Sequence, residues 1–260
     1  MISQSLSEEQ DSLQKQKIEG FTDYSNSLNS LNAKQFANFL VTSVEVRPKV
    51  NDLKNFVKDG IKPSSVIKQI IEFFTKEGDH ILDVFSGTGE TLKIISDMNR
   101  SAIGVECDPD KVFSYTQDVL SDTFLDFFEV RQEDALVASN SISESFDFIF
   151  VDPPVKTHSQ KEDPTNIGDL PVDAYINYLV NLLDSLAKNL KRDKYLVCLM
   201  QDFYLKGEYF MLPALVASNV SNLKFKGIKI YSRNLDTNTI PNKKVYAPVQ
   251  NHFYALIFTL

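Results

Sequence analysis

The chain contains no tryptophan, and among its 260 residues there are only two cysteines and three histidines. Cys107 and Cys198 each lie within or just beyond an apolar, strand-like run, far from the close Cys/His spacing that a zinc site uses. A disulfide framework and a structural metal are therefore not expected, and two free thiols suit a reducing compartment. Long apolar runs are missing as well. No stretch approaches the roughly 20 residues that a bilayer-crossing helix needs, and the first residues are polar, unlike a secretory leader. The expectation is a soluble, cytoplasmic chain with no membrane partner. Positive charge is also in deficit: 27 Lys and Arg stand against 35 Asp and Glu, a net charge of -8. That balance excludes a protein that coats nucleic acid by charge alone, while a local basic groove stays compatible with it.

What is present is the material of an α/β core. Hydrophobic residues make up 43% and charged residues 24%, ordinary values for a folded domain, and the length suits one such domain with a small extension. Residues 1–30, rich in Ser, Gln, Asn, Glu and Lys, read as a mobile tail. Residues 31–60 read as a small N-terminal extension, with Phe36, Phe39, Leu40 and Val44 at helix-like spacing. Residues 61–260 read as the main domain.

Within that domain the apolar period alternates. Pro63 opens a helix with Val66, Ile67, Ile70, Ile71 and Phe74 on one face, and Gly78 ends it. Further helices are predicted at 90–98, at 109–124 and over the run containing Ile176, Leu179, Leu183, Leu186 and Leu190. Strands are predicted at 81–84, 102–105, 127–131, 146–151, 195–200, 225–231 and 252–259. Such alternation implies a doubly wound, mostly parallel sheet with helices on both faces. The last two strands, joined without a predicted long helix, imply an antiparallel terminal hairpin.

Four sites at strand ends carry chemistry. Ile81 to Gly89 runs from a strand into a glycine-rich turn (Phe85-Ser86-Gly87-Thr88-Gly89) ahead of a helix, which lets backbone approach a ligand closely. A dinucleotide site would place a third glycine at position 92, which is Leu. Glu106 ends the next strand, where doubly wound folds meet the hydroxyls of a ribose, and Asp134 follows the strand after that, suited to accept from an adenine amino group. Finally, Phe148 to Val151 leads into Asp152-Pro153-Pro154-Val155. Two prolines stop the ladder and leave carbonyls beside missing N–H donors. The Asp152 carboxylate and the Pro153 carbonyl are thereby suited to accept the two hydrogens of an amino group.

This set resembles the amino-methylating DNA methyltransferases, which modify adenine at N6 or cytosine at N4. The Phe-x-Gly-x-Gly cofactor loop is matched by Phe85, Gly87 and Gly89, and the Asp-Pro-Pro catalytic motif by Asp152, Pro153 and Pro154. Lys62, Pro63 and Ser64 resemble the family's upstream motif at the methionine end of the cofactor. The similarity extends over roughly residues 60–260. It implies a class I S-adenosylmethionine-dependent methyltransferase-like fold and S-adenosyl-L-methionine as cofactor, held by Lys62, Pro63, Ser64, Asp83, Phe85, Ser86, Gly87, Gly89, Thr91, Glu106, Cys107, Asp134 and Ala135. It further implies Asp152, Pro153, Pro154 and Val155 as the catalytic group, with Asp152 favouring adenine N6 over cytosine N4. Drawing on the amino hydrogens would turn the nitrogen lone pair out of ring conjugation toward a sulfonium methyl.

The chain departs from the family at two positions. Val155 stands where an aromatic usually stacks on the flipped-out base, and Phe203 or Tyr204 is the candidate replacement. Glu90 stands where a small hydroxyl residue is common. Residues 156–171 are expected to order over the substrate, and Arg233, Lys243 and Lys244 in the terminal hairpin to contact phosphates. DNA is the favoured partner and RNA the alternative. A partner subunit or homodimer is left open, as is a non-catalytic role within a complex.

Overall fold

The computed structural model describes residues 28–41, 43–47, 62–112, 128–157, 166–233 and 252–260. Helix α1 (Ala33–Val41) and strand β1 (Val44–Arg47) precede the main sheet. Helix α2 (Ser64–Phe74) opens at Pro63, whose carbonyl accepts from the N–H groups of Val66 and Ile67. The chain then alternates through β2 (His80–Val84), α3 (Glu90–Asp97), β3 (Ser101–Glu106), β4 (Phe128–Gln132), α4 (Ala135–Ser141), β5 (Phe146–Val151), α5 (Val172–Leu186) and β6 (Leu190–Met200). A short hairpin, β7 (Phe203–Leu205) and β8 (Glu208–Phe210), leads into α6 (Leu212–Asn219), followed by β9 (Lys224–Arg233) and β10 (His252–Thr259).

Eight strands form one sheet in the order β1-β9-β10-β6-β5-β2-β3-β4. The pairs from β6 across to β4 are all parallel, whereas β10 runs antiparallel to both β6 and β9. The terminal strands thus form the expected antiparallel pair, and the last strand in sequence is the one that borders the parallel set. Every parallel strand from β2 to β6 ends at the same edge, which is where open α/β folds place their ligands.

The sheet is buried on both faces. Along β5, Ile149 and Val151 point into one layer with α5 (Leu179, Leu182, Leu183 and Leu186), while Phe148 and Phe150 point into the other with α2 and α3 (Ile70, Ile71, Phe74, Leu92 and Ile95). This two-sided burial is why the strands read as unbroken apolar runs. Helix α1 packs on the second layer through stacked rings, with Phe39 3.8 Å and Phe36 5.0 Å from Phe73 between centroids.

Several elements differ from the sequence expectation. Val44, expected to continue a helix, begins an edge strand that pairs parallel with β9. Its alternation Val-Glu-Val-Arg is a strand period, too short to register beside the helical spacing before it. Helices α4 and α6 and the β7–β8 hairpin were not anticipated either, each being eight residues or fewer. Of the helix predicted at 109–124, residues 109–112 are helical and the remainder lies outside the described residues, as does segment 234–251 between β9 and β10. No helix among the described residues is long and apolar enough to cross a membrane.

Candidate active site

The turn after β2 is built from left-handed backbone. Phe85 (φ 70°), Gly87 (55°) and Gly89 (84°) alternate through it, and Gly89 caps α3. For Phe85 that conformation costs about 1–2 kcal/mol, which paired backbone groups offset: the N–H groups of Phe85 and Ser86 both donate to the Val105 carbonyl, at 3.0 and 2.9 Å. Glu106 locks the next loop onto this turn, accepting from Gly87 N–H at Oε2 and from Asp108 N–H at Oε1, both at 2.9 Å. Gly104 allows the approach, since a Cβ there would lie 2.8 Å from Leu92 Cδ1 and 2.9 Å from Ser86 Oγ.

Asp134 serves first as the cap of α4. Its Oδ1 accepts from the N–H groups of Leu136 and Val137, and its Oδ2 from Tyr178 Oη at 2.8 Å. The carboxylate is therefore aimed by both a helix start and a tyrosine from α5.

Asp152 lies one residue past β5, with its N–H donating to the Val84 carbonyl at 3.3 Å. That bond continues the β2–β5 ladder and sets Asp152-Pro153-Pro154 beside the glycine turn. The Pro154 carbonyl accepts from Tyr175 Oη at 3.0 Å. A strap secures the following residues: Thr157 N–H and Lys156 Nζ both donate to the Gly168 carbonyl, at 2.9 and 2.8 Å. Lys62 Nζ donates to Asp152 Oδ1 at 2.6 Å as a mostly buried ion pair. Burial raises the Asp152 pKa above the ordinary carboxylate value, a rise that the Lys62 charge opposes. Nearby Asp83 is 1% exposed, and neither of its carboxylate oxygens has a hydrogen-bond partner. Burial, then the charges of Asp152 and Glu106, push its pKa well up.

These groups meet around a cleft of about 490 Å³. Lys62, Phe85, Ser86, Gly87, Thr91, Glu106, Cys107, Asp134, Asp152, Pro153, Pro154 and Val155 all line it, so the glycine turn and the paired prolines share one cavity. Pro63, Ser64, Gly89 and Ala135 are outside this lining, each one or two positions along the chain from a lining residue. Ser64 Oγ donates to Glu90 Oε1 at 2.5 Å, which gives Glu90 a local job, tying the starts of α2 and α3 together. Asp83 lies beneath the turn at the end of β2. Five carboxylates (Glu90, Glu106, Asp108, Asp134 and Asp152) face two lysines (Lys62 and Lys111) around the cleft. An acidic cavity of this kind repels the pyrophosphate of a dinucleotide and suits a ligand that carries positive charge.

The expected substrate residues fare differently. Phe203 is 6% exposed and lies under Lys156, whose Nζ is 5.1 Å from its ring centroid, so its faces are not offered to a base. Tyr204 is exposed on the hairpin. Arg233 ends β9, while Lys243 and Lys244 lie outside the described residues. Sequence reasoning missed Tyr175 and Tyr178. Their signal was two phenols three residues apart in an amphipathic helix, each needing a partner for its hydroxyl once buried. Gly168 was missed too.

The strand order and the ligand edge define a class I S-adenosylmethionine-dependent methyltransferase fold. Among solved structures, the chain is similar to TrmN from Thermus thermophilus (12% identity, TM-score 0.51, covering 75% of this chain and 47% of that one). It is similar to the same degree to the [4+2]-cyclase SpnF (11% identity, TM-score 0.51, covering 75% and 80%). A fold shared with a cyclase leaves the reaction to be argued from the site. In sequence, a family model described as DNA methylase, of N6 and N4 type, matches residues 3–116. A stretch of 49 residues is 45% identical to the probable type III restriction-modification enzyme HindVI Mod subunit of Haemophilus influenzae, covering 19% of this chain and 7% of that protein. Over residues 3–116 the chain is thus similar to the amino-methylating DNA methyltransferases. The family match ends before Asp152.

Proposed function

We propose that this chain is an S-adenosylmethionine-dependent methyltransferase that acts on the exocyclic amino group of a nucleic-acid base, in DNA, with adenine N6 favoured over cytosine N4. The observation that carries this reading is the shared cleft: Asp152-Pro153-Pro154 lies beside the glycine turn in one cavity. The cavity's chemistry fits the cofactor. Asp83 is a buried carboxylate without a partner, suited to a cationic group, and Glu106 stands at the strand end where a ribose would meet it. When bound, the cofactor supplies an electrophilic methyl group on a sulfonium.

The chain's residues then have separable tasks. Phe85 to Gly89, Glu106 and Asp134 bind and orient the cofactor, with Pro63, Ser64, Thr91, Cys107 and Ala135 shaping its surroundings. Asp152 accepts one N–H of the target amino group, and the Pro153 carbonyl is the acceptor for the other. Drawing on both hydrogens aims the nitrogen lone pair at the methyl, and the proton leaves after transfer, so no prior base is required. Asp152, Pro153 and Pro154 are rigid by construction, since two prolines fix their own φ angles. Val155 supplies an apolar wall where a stacking ring would otherwise stand.

The relative's name describes a subunit, and the described residues hold no large separate recognition domain. A cytoplasmic enzyme that reads its target with a partner subunit, or as a homodimer, fits that composition. The test is incubation of the chain with labelled cofactor and DNA or RNA, followed by nucleoside analysis. N6-methyladenine in DNA is the expected product, absent with Asp152→Ala although that variant still binds cofactor. A methylated base found only in RNA would redirect the substrate assignment. No methylated base on any nucleic acid, with cofactor bound, would remove the catalytic reading.

A further inference from the structure

Lys62 brings an ammonium into the catalytic cavity with its side chain only 2% exposed. Two features hold it there. A residue before proline is kept extended, and Pro63 opens a helix anchored by the fully buried Ile70 and Ile71. An ammonium this deeply buried needs a counter-charge, and Asp152 Oδ1 at 2.6 Å supplies it. Asp152 Oδ2 has no partner among the described residues, and Asp152 lines the cleft with its side chain 22% exposed.

We propose that Lys62 is a positioning residue for the transfer: it holds Oδ1 of Asp152 and leaves Oδ2 as the oxygen that meets the substrate's amino group. This rests on the methyltransferase reading above. It also moves Lys62 away from the cofactor's methionine end, where its sequence neighbours suggested it would act. The physical need is clear from the surroundings. Asp152 faces Asp83 from β2, Tyr175 from α5 and Cys198 from β6, none of which carries positive charge. Burial favours the protonated carboxyl, and a protonated carboxyl presents a donor where the amino group needs an acceptor. Lys62 opposes that protonation and at the same time fixes the rotation of the carboxylate, so a single contact sets both its charge and its aim.

The experiment compares Lys62→Met and Lys62→Arg with the unmodified chain. In Lys62→Met, kcat should fall at least about tenfold and the acid limb of its pH profile should move to higher pH, while KM for DNA changes by less than about threefold. Cofactor affinity by calorimetry should stay within about twofold, and Lys62→Arg should recover most of the rate. A cofactor affinity weakened about tenfold with an unmoved acid limb would overturn the proposal in favour of a methionine-end role. A second readout needs neither cofactor nor substrate. Carbon-13 titration of the Asp carboxyls, with Asp152→Asn identifying the resonance, should show Asp152 titrating higher in Lys62→Met than in the unmodified chain. Identical titrations would overturn the inference. A titration difference in a chain that methylates no nucleic acid would overturn the functional reading alone, because the ion pair is measured without substrate.

Discussion

The hydroxyl of Tyr175 donates to the carbonyl oxygen of Pro154 at 3.0 Å, joining the first turn of the domain's longest described helix to the end of the Asp152-Pro153-Pro154 segment. The phenol is 3% exposed, and burial pushes its pKa far up, so it stays a donor at any physiological pH. Two prolines have removed the N–H groups that would otherwise tie this segment into the sheet. Tyr175 replaces that lost restraint from the side.

Tyr175→Phe is therefore expected to keep the fold and loosen the motif. Removing one partner of a buried hydrogen bond costs about 1–2 kcal/mol, readable in urea unfolding. Methyl transfer should fall about tenfold, with cofactor affinity unchanged. A variant with full activity would show that the motif's backbone is held well enough without this bond.

Gly168 makes a second restraint. A Cβ there would overlap the Val155 carbonyl oxygen and press on Asn166 Oδ1, and the first of these is backbone that cannot turn aside. Gly168→Ala should push the strap away from Val155, costing about 1–3 kcal/mol of stability. Turnover should fall more than cofactor binding, since Thr157, Asn166 and Ile167 of the strap line the cleft beside Val155. Thermal melts and single-turnover rates together check this. An unchanged melt would mean that the strap yields freely.

The sheet was legible because its strands are buried on both faces and so appear as apolar runs between glycine and proline stops, as Ile81–Val84 and Phe148–Val151 show. The site was legible where its chemistry lies in one contiguous segment, as in Phe85 to Gly89 or Asp152 to Pro154. It was not legible where partners are distant in sequence. Nothing local tells that Lys62 meets Asp152, 90 residues on, or that Tyr178 steadies Asp134. Asp134 itself was read as a ligand group, whereas its first task is to cap α4, a helix whose seven residues gave too short a period to stand out. Glu90 looked like a departure at the cofactor end and has a plain local partner in Ser64.

Asp83 ties stability to function. Its pKa is raised in the folded chain, so the folded state holds the proton more tightly than the unfolded state does. Stability from this group is fullest below the usual carboxylate pKa and is lost as pH rises through the raised value. Asp83→Asn should accordingly raise the melting temperature of the unliganded protein at neutral pH, each kcal/mol appearing as about 2–4 °C for a chain of this size. The gain should shrink toward pH 4. Cofactor affinity should fall in the same variant, because the carboxylate that a cationic ligand would satisfy is gone. A stabilised variant with undiminished affinity would place the cofactor's positive end elsewhere.

The β7–β8 hairpin is where a base-stacking surface can be tested. Phe203 is turned inward, but Tyr204 (36% exposed) and Tyr209 (44%) present rings 5.0 Å apart at 61°, just past the end of β6 and on the same sheet edge as Asp152. Tyr209 is held by its hydroxyl on Asp202, which also accepts from Tyr254 at 2.8 Å, so this ring is braced before any substrate arrives. A flipped or single-stranded base that stacks on an aromatic ring gains about 1–3 kcal/mol. Tyr204→Ala should then weaken DNA affinity about 5–100-fold, whereas Tyr204→Phe, which keeps the ring, should leave it nearly unchanged. Tyr209→Ala should do the same and also lower stability through the partner lost by Asp202. Cofactor binding should be indifferent to all three, since the hairpin stands apart from the cleft's lining. If both alanine variants bind and methylate DNA as the unmodified chain does, the hairpin is not the substrate side, and the apolar wall of Val155 and Ile167 must accept the base without a stacking ring.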